Sequence, residues 1–329
     1  MIFHVLLVVF SAFIMFRAAN WLVQGISKVA QYLQWSEFVI AFFVMAVGGS
    51  LPNLFVGLSS VAHGIPELSF GDVIGNSVVD LTLVAALAVL VGSDLLAEGK
   101  LVQTSAFLTI SIALLPLLLI LDGELGRGDG IVLIIVFFGY AAWMFTKRKY
   151  YRQTLDENEK PPLNRFRNFM VGLLQIIIGG ALLLAAAEGV VTSANFFAQE
   201  FSLPIALIGI LGLGFMSALP ELYFAIAAAK KGKSWIILGE LTGSVIILTT
   251  LVLGIVAILQ PIVIEDFSPF AIARFFMIIS ALFFLIFIRT GRRITKKEAL
   301  ILVGIYLAFV AAELFTKIFC DPVLTFCLR

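Results

Sequence analysis

Asp80 and Glu221 stand inside apolar stretches long enough to cross a bilayer, and the residues around each offer oxygen rather than positive charge. Glu221 directly follows Pro220 in the run Ser217-Ala218-Leu219-Pro220-Glu221. Proline suits the first turn of a helix, and the helix before it ends on free carbonyls, so a break here would set backbone oxygens beside a carboxylate. Asp80 follows Asn76 by one helical turn, which puts both on one face. An ionisable group at membrane depth is costly and calls for a partner, a wet cavity or a function. An acid surrounded by amide, hydroxyl and carbonyl oxygens has the chemistry of a hard-cation site.

Both acids belong to a segment that occurs twice. Val47 to Val84 and Phe215 to Val252 align without a gap at an offset of 168 positions. In that register Leu51, Pro52, Leu54, Gly64, Gly71, Gly75 and Thr82 meet Leu219, Pro220, Leu222, Gly232, Gly239, Gly243 and Thr250. Glycine, proline and polar residues inside an apolar helix free backbone groups that lipid cannot satisfy, and a merely structural span avoids them. Their recurrence in two halves marks a transporter's ion site built on broken helices. Asn53 takes the position of Glu221, with an amide oxygen as ligand, while the apolar Leu248 takes that of Asp80. The residues read this way as candidates for a cation site are Asn53 and Asp80, with Asn76 on the same face, in the first copy and Glu221 in the second.

Other polar residues in the spans are less decisive. Asp72 and its counterpart Glu240 each follow a glycine near the start of a span, where helix capping or placement at a helix interface, on the one hand, and ion access, on the other, are equally open readings. Arg17 falls about 15 Å from the end of its span, and it is expected to snorkel or to pair away from the carboxylates, since pairing with them would weaken cation binding. Glu188 and Glu313 lie within or at the edge of spans. The pairs Gly71/Gly75 and Gly239/Gly243 have the spacing of close helix packing.

At 329 residues, 61% hydrophobic and 13% charged, the chain is a polytopic membrane protein. About ten spans are expected, near 2–27, 37–62, 69–92, 101–121, 129–146, 168–197, 203–229, 235–260, 268–288 and 298–318, since ~20 residues cross a ~30 Å core. The first lacks a basic leading region and a small-residue cleavage site, so it is expected to remain as a helix. Lysine and arginine gather between alternate spans, at Lys147 to Arg167, Lys230 to Lys233 and Arg289 to Lys297, which puts those loops in the cytoplasm and both termini outside. Five spans per half, an odd number, makes the two repeats inverted. The expected organisation is a first five-helix repeat over 1–146, a cytoplasmic linker over 147–167, and a second repeat with a short outer tail over 168–329. Cys320 and Cys327 fall in that tail, either bridged or free.

The two segments resemble the alpha repeats of the calcium/cation antiporter superfamily, most closely the prokaryotic sodium/calcium exchanger type. The likeness lies in a G-(T/S)-S-x-P-E pattern followed by G-(N/D)-x-x-G-S-N in each half, and in Phe16 to Gly25, which is similar to the family's G-A-D-W-L-V-x-G stretch. It implies an all-α fold of ten helices in two inverted five-helix repeats, with ion sites where helices 2, 3, 7 and 8 meet and with helices 1 and 6 sliding past them. It carries over Ser50, Asn53, Asn76, Asp80, Ser217, Glu221 and Ser244 as ion ligands. The chain departs from the pattern at Asn53, where the family has glutamate, at Gly49 and Ala218, where it has a hydroxyl, and at Leu248, where it has Asn or Asp.

The leading expectation is a secondary antiporter exchanging Ca²⁺ or a related cation for Na⁺ or H⁺ across a cell membrane. Alternatives are an exchanger of altered selectivity and a non-transporting sensor derived from the fold. An intramembrane hydrolase is disfavoured: there is no HExxH or GxGD signature, and the only histidines are His4 and His63. No tightly bound cofactor and no nucleic-acid partner are expected. The charge asymmetry gives a direct test. Single cysteines in the 147–167 linker should resist an impermeant thiol reagent in intact cells while reduced Cys320 and Cys327 react; the reverse labelling would overturn the orientation.

Overall fold

The computed structural model describes residues 1–33, 45–97, 100–146, 165–232, 234–264 and 267–319. The linker over 147–164, the start of the second expected span and both cysteines lie outside these residues. Nine helices among the described residues are long and apolar enough to span a membrane: α1 (Ile2–Tyr32), α3 (Pro66–Val91), α4 (Val102–Asp122), α5 (Arg127–Met144), α6 (Phe166–Glu200), α7 (Ile205–Ala229), α8 (Ile236–Leu259), α9 (Phe270–Thr290) and α10 (Lys296–Phe315). The helix Met45–Ala62, α2, is the described part of the remaining expected span.

Four short strands show how the halves are related. β1 (Leu95–Leu96) pairs antiparallel with β4 (Arg293–Ile294), and β2 (Glu124–Leu125) with β3 (Ile262–Val263). At the 168-residue offset β1 corresponds to β3 and β2 to β4. β1 and β2 stand at opposite ends of α4, so the equivalent loops β1 and β3 are at opposite ends of the bundle. The repeats are inverted, as the odd span count requires. Local structure repeats as well. Gly64 and Gly232, equivalent positions, both adopt left-handed conformations, at φ +69° and +66°, just past the ends of α2 and α7. Only glycine takes that helix-ending geometry without strain.

α3 and α8 form the buried centre, while α1, α6 and α10 are the least buried of the nine. In α3 and α8, 83% of the apolar window is inside the protein, against 22% in α1 and α6. α1 and α6 run antiparallel along each other: Lys28 donates to Gln175 Oε1 at 2.8 Å, Gly25 meets the backbone of Gly172, Gly179 that of Ala18, and His4 stacks on Phe196 with ring centroids 3.8 Å apart. At 31 and 35 residues these two helices exceed the ~20 needed to cross a bilayer.

At the centre, α3 of the first repeat crosses α7 of the second through glycine. A Cβ on Gly75 would stand 2.0 Å from the Ile210 carbonyl oxygen, and one on Gly214 2.6 Å from the Asn76 amide nitrogen. The backbones touch, which is what small residues permit where lipid supplies no hydrophobic drive.

The helices carrying the repeated segment are irregular in ways the sequence reading only partly anticipated. α7 is interrupted at Ala218, just before Pro220, as expected. α2 is one helix with Pro52 inside it, so the expected break in the first copy is absent; the ring costs one backbone bond rather than the helix. π-helical turns at Asp80–Val84 and Ile247–Val252 occupy equivalent places in α3 and α8. In each, a threonine hydroxyl bonds the carbonyl four residues back, Thr82 to Val78 and Thr250 to Ile246, competing with the helix ladder. Asp72 and Glu240 prove to be well inside their helices, which begin at Pro66 and Ser234, and the capping reading falls with that.

The glycine crossing gives a stability test. Gly75→Ala should destabilise the detergent-solubilised protein by about 1–3 kcal/mol through overpacking, read as a lowered Tm. Gly139→Ala, where a Cβ meets nothing within 4 Å, should leave Tm unchanged.

Candidate ion-binding site

Every ligand candidate read from the sequence is buried: Ser50, Asn53, Asn76, Asp80, Ser217, Glu221 and Ser244. α2 carries Ser50 and Asn53 one turn apart, α3 carries Asn76 and Asp80, α7 carries Ser217 and Glu221, and α8 carries Ser244. Pro52 and Pro220 lack an N–H, so the carbonyls of Gly48 and Met216, four residues back, lose their usual helical donor.

The structure brings these residues together across the two halves. Ser217 Oγ donates to Asp72 Oδ1 at 2.7 Å, and Asn53 Nδ2 donates to Asp72 Oδ2 at 3.0 Å. Glu221 interacts electrostatically with Asp80, Glu240 and Asp72, so the four acids form one group. Ser244 adjoins Asp80 without closing a hydrogen bond to it. A Cβ on Gly49 would come within 3.5 Å of Glu221 Oε1, so α2 reaches this carboxylate through backbone alone.

Among the described residues, both oxygens of Asp80 and of Glu221, Asn53 Oδ1, both polar atoms of the Asn76 amide, Glu240 Oε2 and Ser244 Oγ have no hydrogen-bond partner in the protein. Buried polar atoms are normally satisfied, and this concentration of oxygen atoms at one place fits a cation. No three Asp, Glu, His or Cys among the described residues converge as a ready-made metal cage. Such a site must therefore mix carboxylates with amide, hydroxyl and carbonyl oxygens, as the sequence pattern implies.

Two cavities between α1 and α7 reach the group. One, of about 190 Å³, is bounded by Phe16, Asn20, Gly49, Glu221 and Glu240. The other, of about 240 Å³, is bounded by Phe13, Phe16, Pro52, Ser217, Pro220 and Tyr223. Arg17 stays apart: it is exposed on α1, its guanidinium 5.5 Å from the Phe13 ring centroid, and makes no ion pair among the described residues. Glu188 is engaged elsewhere, 3.1 Å from His63 Nε2 and accepting from Ser59 Oγ at 2.8 Å. Asp72 and Glu240 enter the group although the sequence reading left them undecided. The available signal was an acid directly after glycine at the same place in both copies.

The sodium/calcium exchanger protein family model matches residues 3–146 and 171–315. The chain belongs to that family. It is 26% identical over 321 residues to the inner membrane protein YrbG of Escherichia coli, covering 94% of each chain. It is 25% identical to the sodium/calcium exchanger MaX1 of Methanosarcina acetivorans, covering 89% of this chain and 93% of that one. Among solved structures, the sodium-calcium exchanger NCX_Mj soaked with 10 mM Na⁺ and 10 mM Sr²⁺ superposes with a TM-score of 0.65 at 24% identity, over 94% of this chain and 98% of that one, and has the same fold. The family is one of transporters, and the expected hydrolase alternative has no support in it.

Uncompensated buried carboxylates give this site a thermal signature. In cation-free detergent, Glu221→Gln and Asp80→Asn should each leave Tm equal to or above that of the unaltered protein, because each removes a buried like charge. Added cation should raise Tm for the unaltered protein and less for either variant.

Proposed function

We propose that this protein is a secondary active cation antiporter that exchanges Ca²⁺ or a related cation for Na⁺ or H⁺ by alternating access. The observation that carries the reading is the group of buried oxygen atoms, drawn from both inverted repeats, that no other part of the described protein satisfies. Ca²⁺ takes about six to eight oxygens. Asp80, Glu221, Asn53, Asn76, Ser50, Ser217 and Ser244, with the carbonyls freed by Pro52 and Pro220, supply a set of that size. Two carboxylates of this set, Asp80 and Glu221, match a divalent charge. Family membership and the likeness to MaX1 and NCX_Mj, both sodium/calcium exchangers, support the same assignment.

The α1–α6 pair is the moving part in this reading. α1 lines both cavities, and the pair's shallow burial allows it to shift against α2, α3, α7 and α8. Both termini are outside and the 147–167 linker is cytoplasmic. Asn53 and Leu248 favour one variation, a selectivity shifted toward monovalent or other divalent cations, since the first repeat supplies an amide where the second supplies an acid.

The test is counterflow of radioactive Ca²⁺, Na⁺ and K⁺ in proteoliposomes under imposed Na⁺ or proton gradients. Glu221→Gln and Asp80→Asn should each cut flux by at least about tenfold, equivalent to about 1.4 kcal/mol of lost cation stabilisation, with the fold retained. Full flux in both variants would move the pathway elsewhere.

A further inference from the structure

Asp72 is absent from the ligand set, yet it is where the two repeats join by hydrogen bonding. It is fully buried on α3. Its two oxygens accept from Ser217 of α7 and Asn53 of α2, at 2.7 and 3.0 Å, and both donors belong to the proposed site. A primary amide and a hydroxyl can each turn either a donor or an acceptor toward a neighbour, whereas an ionised carboxylate only accepts. Asp72 therefore draws the amide N–H and the hydroxyl proton to itself. The same hydroxyl lies 2.8 Å from the Leu213 carbonyl, which is also an acceptor. What remains for a cation is oxygen: Asn53 Oδ1 is buried and unpartnered among the described residues.

We propose that Asp72 is a positioning residue for cation binding, holding Asn53 and Ser217 with their oxygens turned to the ion, and that its charge is the reason position 53 carries an amide. A carboxylate at position 53 would face that of Asp72 across a contact now closed by a hydrogen bond. The two positions share one negative charge between them. Asn53→Glu combined with Asp72→Asn keeps one acid and one amide at the same contact with the roles exchanged.

The functional consequence rests on the transport reading; the contact itself does not, so the experiment has two arms. In cation-free detergent, Asn53→Glu should lower Tm and the double variant should regain most of the loss, because the second change removes the facing charge. In proteoliposomes, Asp72→Asn should raise the apparent KM for Ca²⁺ roughly tenfold, the scale of a lost orienting partner, with a smaller change in maximal rate. Asn53→Glu alone should nearly abolish flux, and the double variant should exceed it severalfold. A double variant no more stable than Asn53→Glu, or a loss of maximal rate in Asp72→Asn with KM unchanged, would overturn the proposal. Should the unaltered protein move none of Ca²⁺, Na⁺ and K⁺, the transport reading fails by itself, and the Tm arm still decides whether positions 53 and 72 share a charge.

Discussion

An ionised carboxylate taken out of water costs several kcal/mol unless donors or a positive charge compensate it. Asp72, Asp80, Glu221 and Glu240 are all buried in one neighbourhood, and among the described residues only Asp72 is hydrogen-bonded by its neighbours at both oxygens. The fold keeps its own cations away from them: Arg17, on the helix that borders both cavities, turns outward over Phe13. In the proposed function compensation is left to a mobile charge, a bound cation or a proton. A site that must bind and release a cation in turn needs this imbalance, since a resident arginine or lysine would hold the carboxylates permanently satisfied.

Everything around the four acids serves to bring them together without excluding an ion. Glycine on glycine at the α3–α7 crossing brings one repeat's backbone onto the other's, and that contact sets the distance between Asn53 and Asp72 on one side and Ser217 on the other. Proline frees carbonyls in α2 and α7. The π-helical turns of α3 and α8, each with a threonine bonded back to its own helix, widen the backbone where Asp80 and its counterpart Leu248 are carried. The symmetry is in the scaffold and not in the chemistry. Each repeat contributes an acid at one of two equivalent positions and a neutral residue at the other, so the site combines unlike halves.

Gly49 extends the same logic. Where a hydroxyl-bearing residue is the family pattern, this chain has a glycine whose added Cβ would stand 3.5 Å from Glu221 Oε1, and among the described residues that carboxylate has no hydrogen-bond donor. In the proposed site hydroxyl ligands would accordingly be fewer, and the amides of Asn53 and Asn76 would carry more of the neutral coordination.

The ten-span architecture and the inversion of the repeats could be read from the sequence, and so could the burial of the seven candidate positions, because hydrophobic length, an odd span count and a polar group in an apolar run are properties of local composition. Close packing of Gly71 and Gly75 was legible for the same reason, since small residues four apart leave a groove whatever fills it. Tertiary structure alone decided which groove partner they meet, that α2 stays one helix through Pro52, and that Asp72 and Glu240 lie beside the other buried acids rather than at helix ends. These depend on which side chains from distant segments come within about 3 Å of each other, and spacing along one chain carries no such information. The bond between Asn53 and Asp72 joins residues 19 positions apart and that between Ser217 and Asp72 residues 145 apart. Only the folded bundle turns those separations into a single contact.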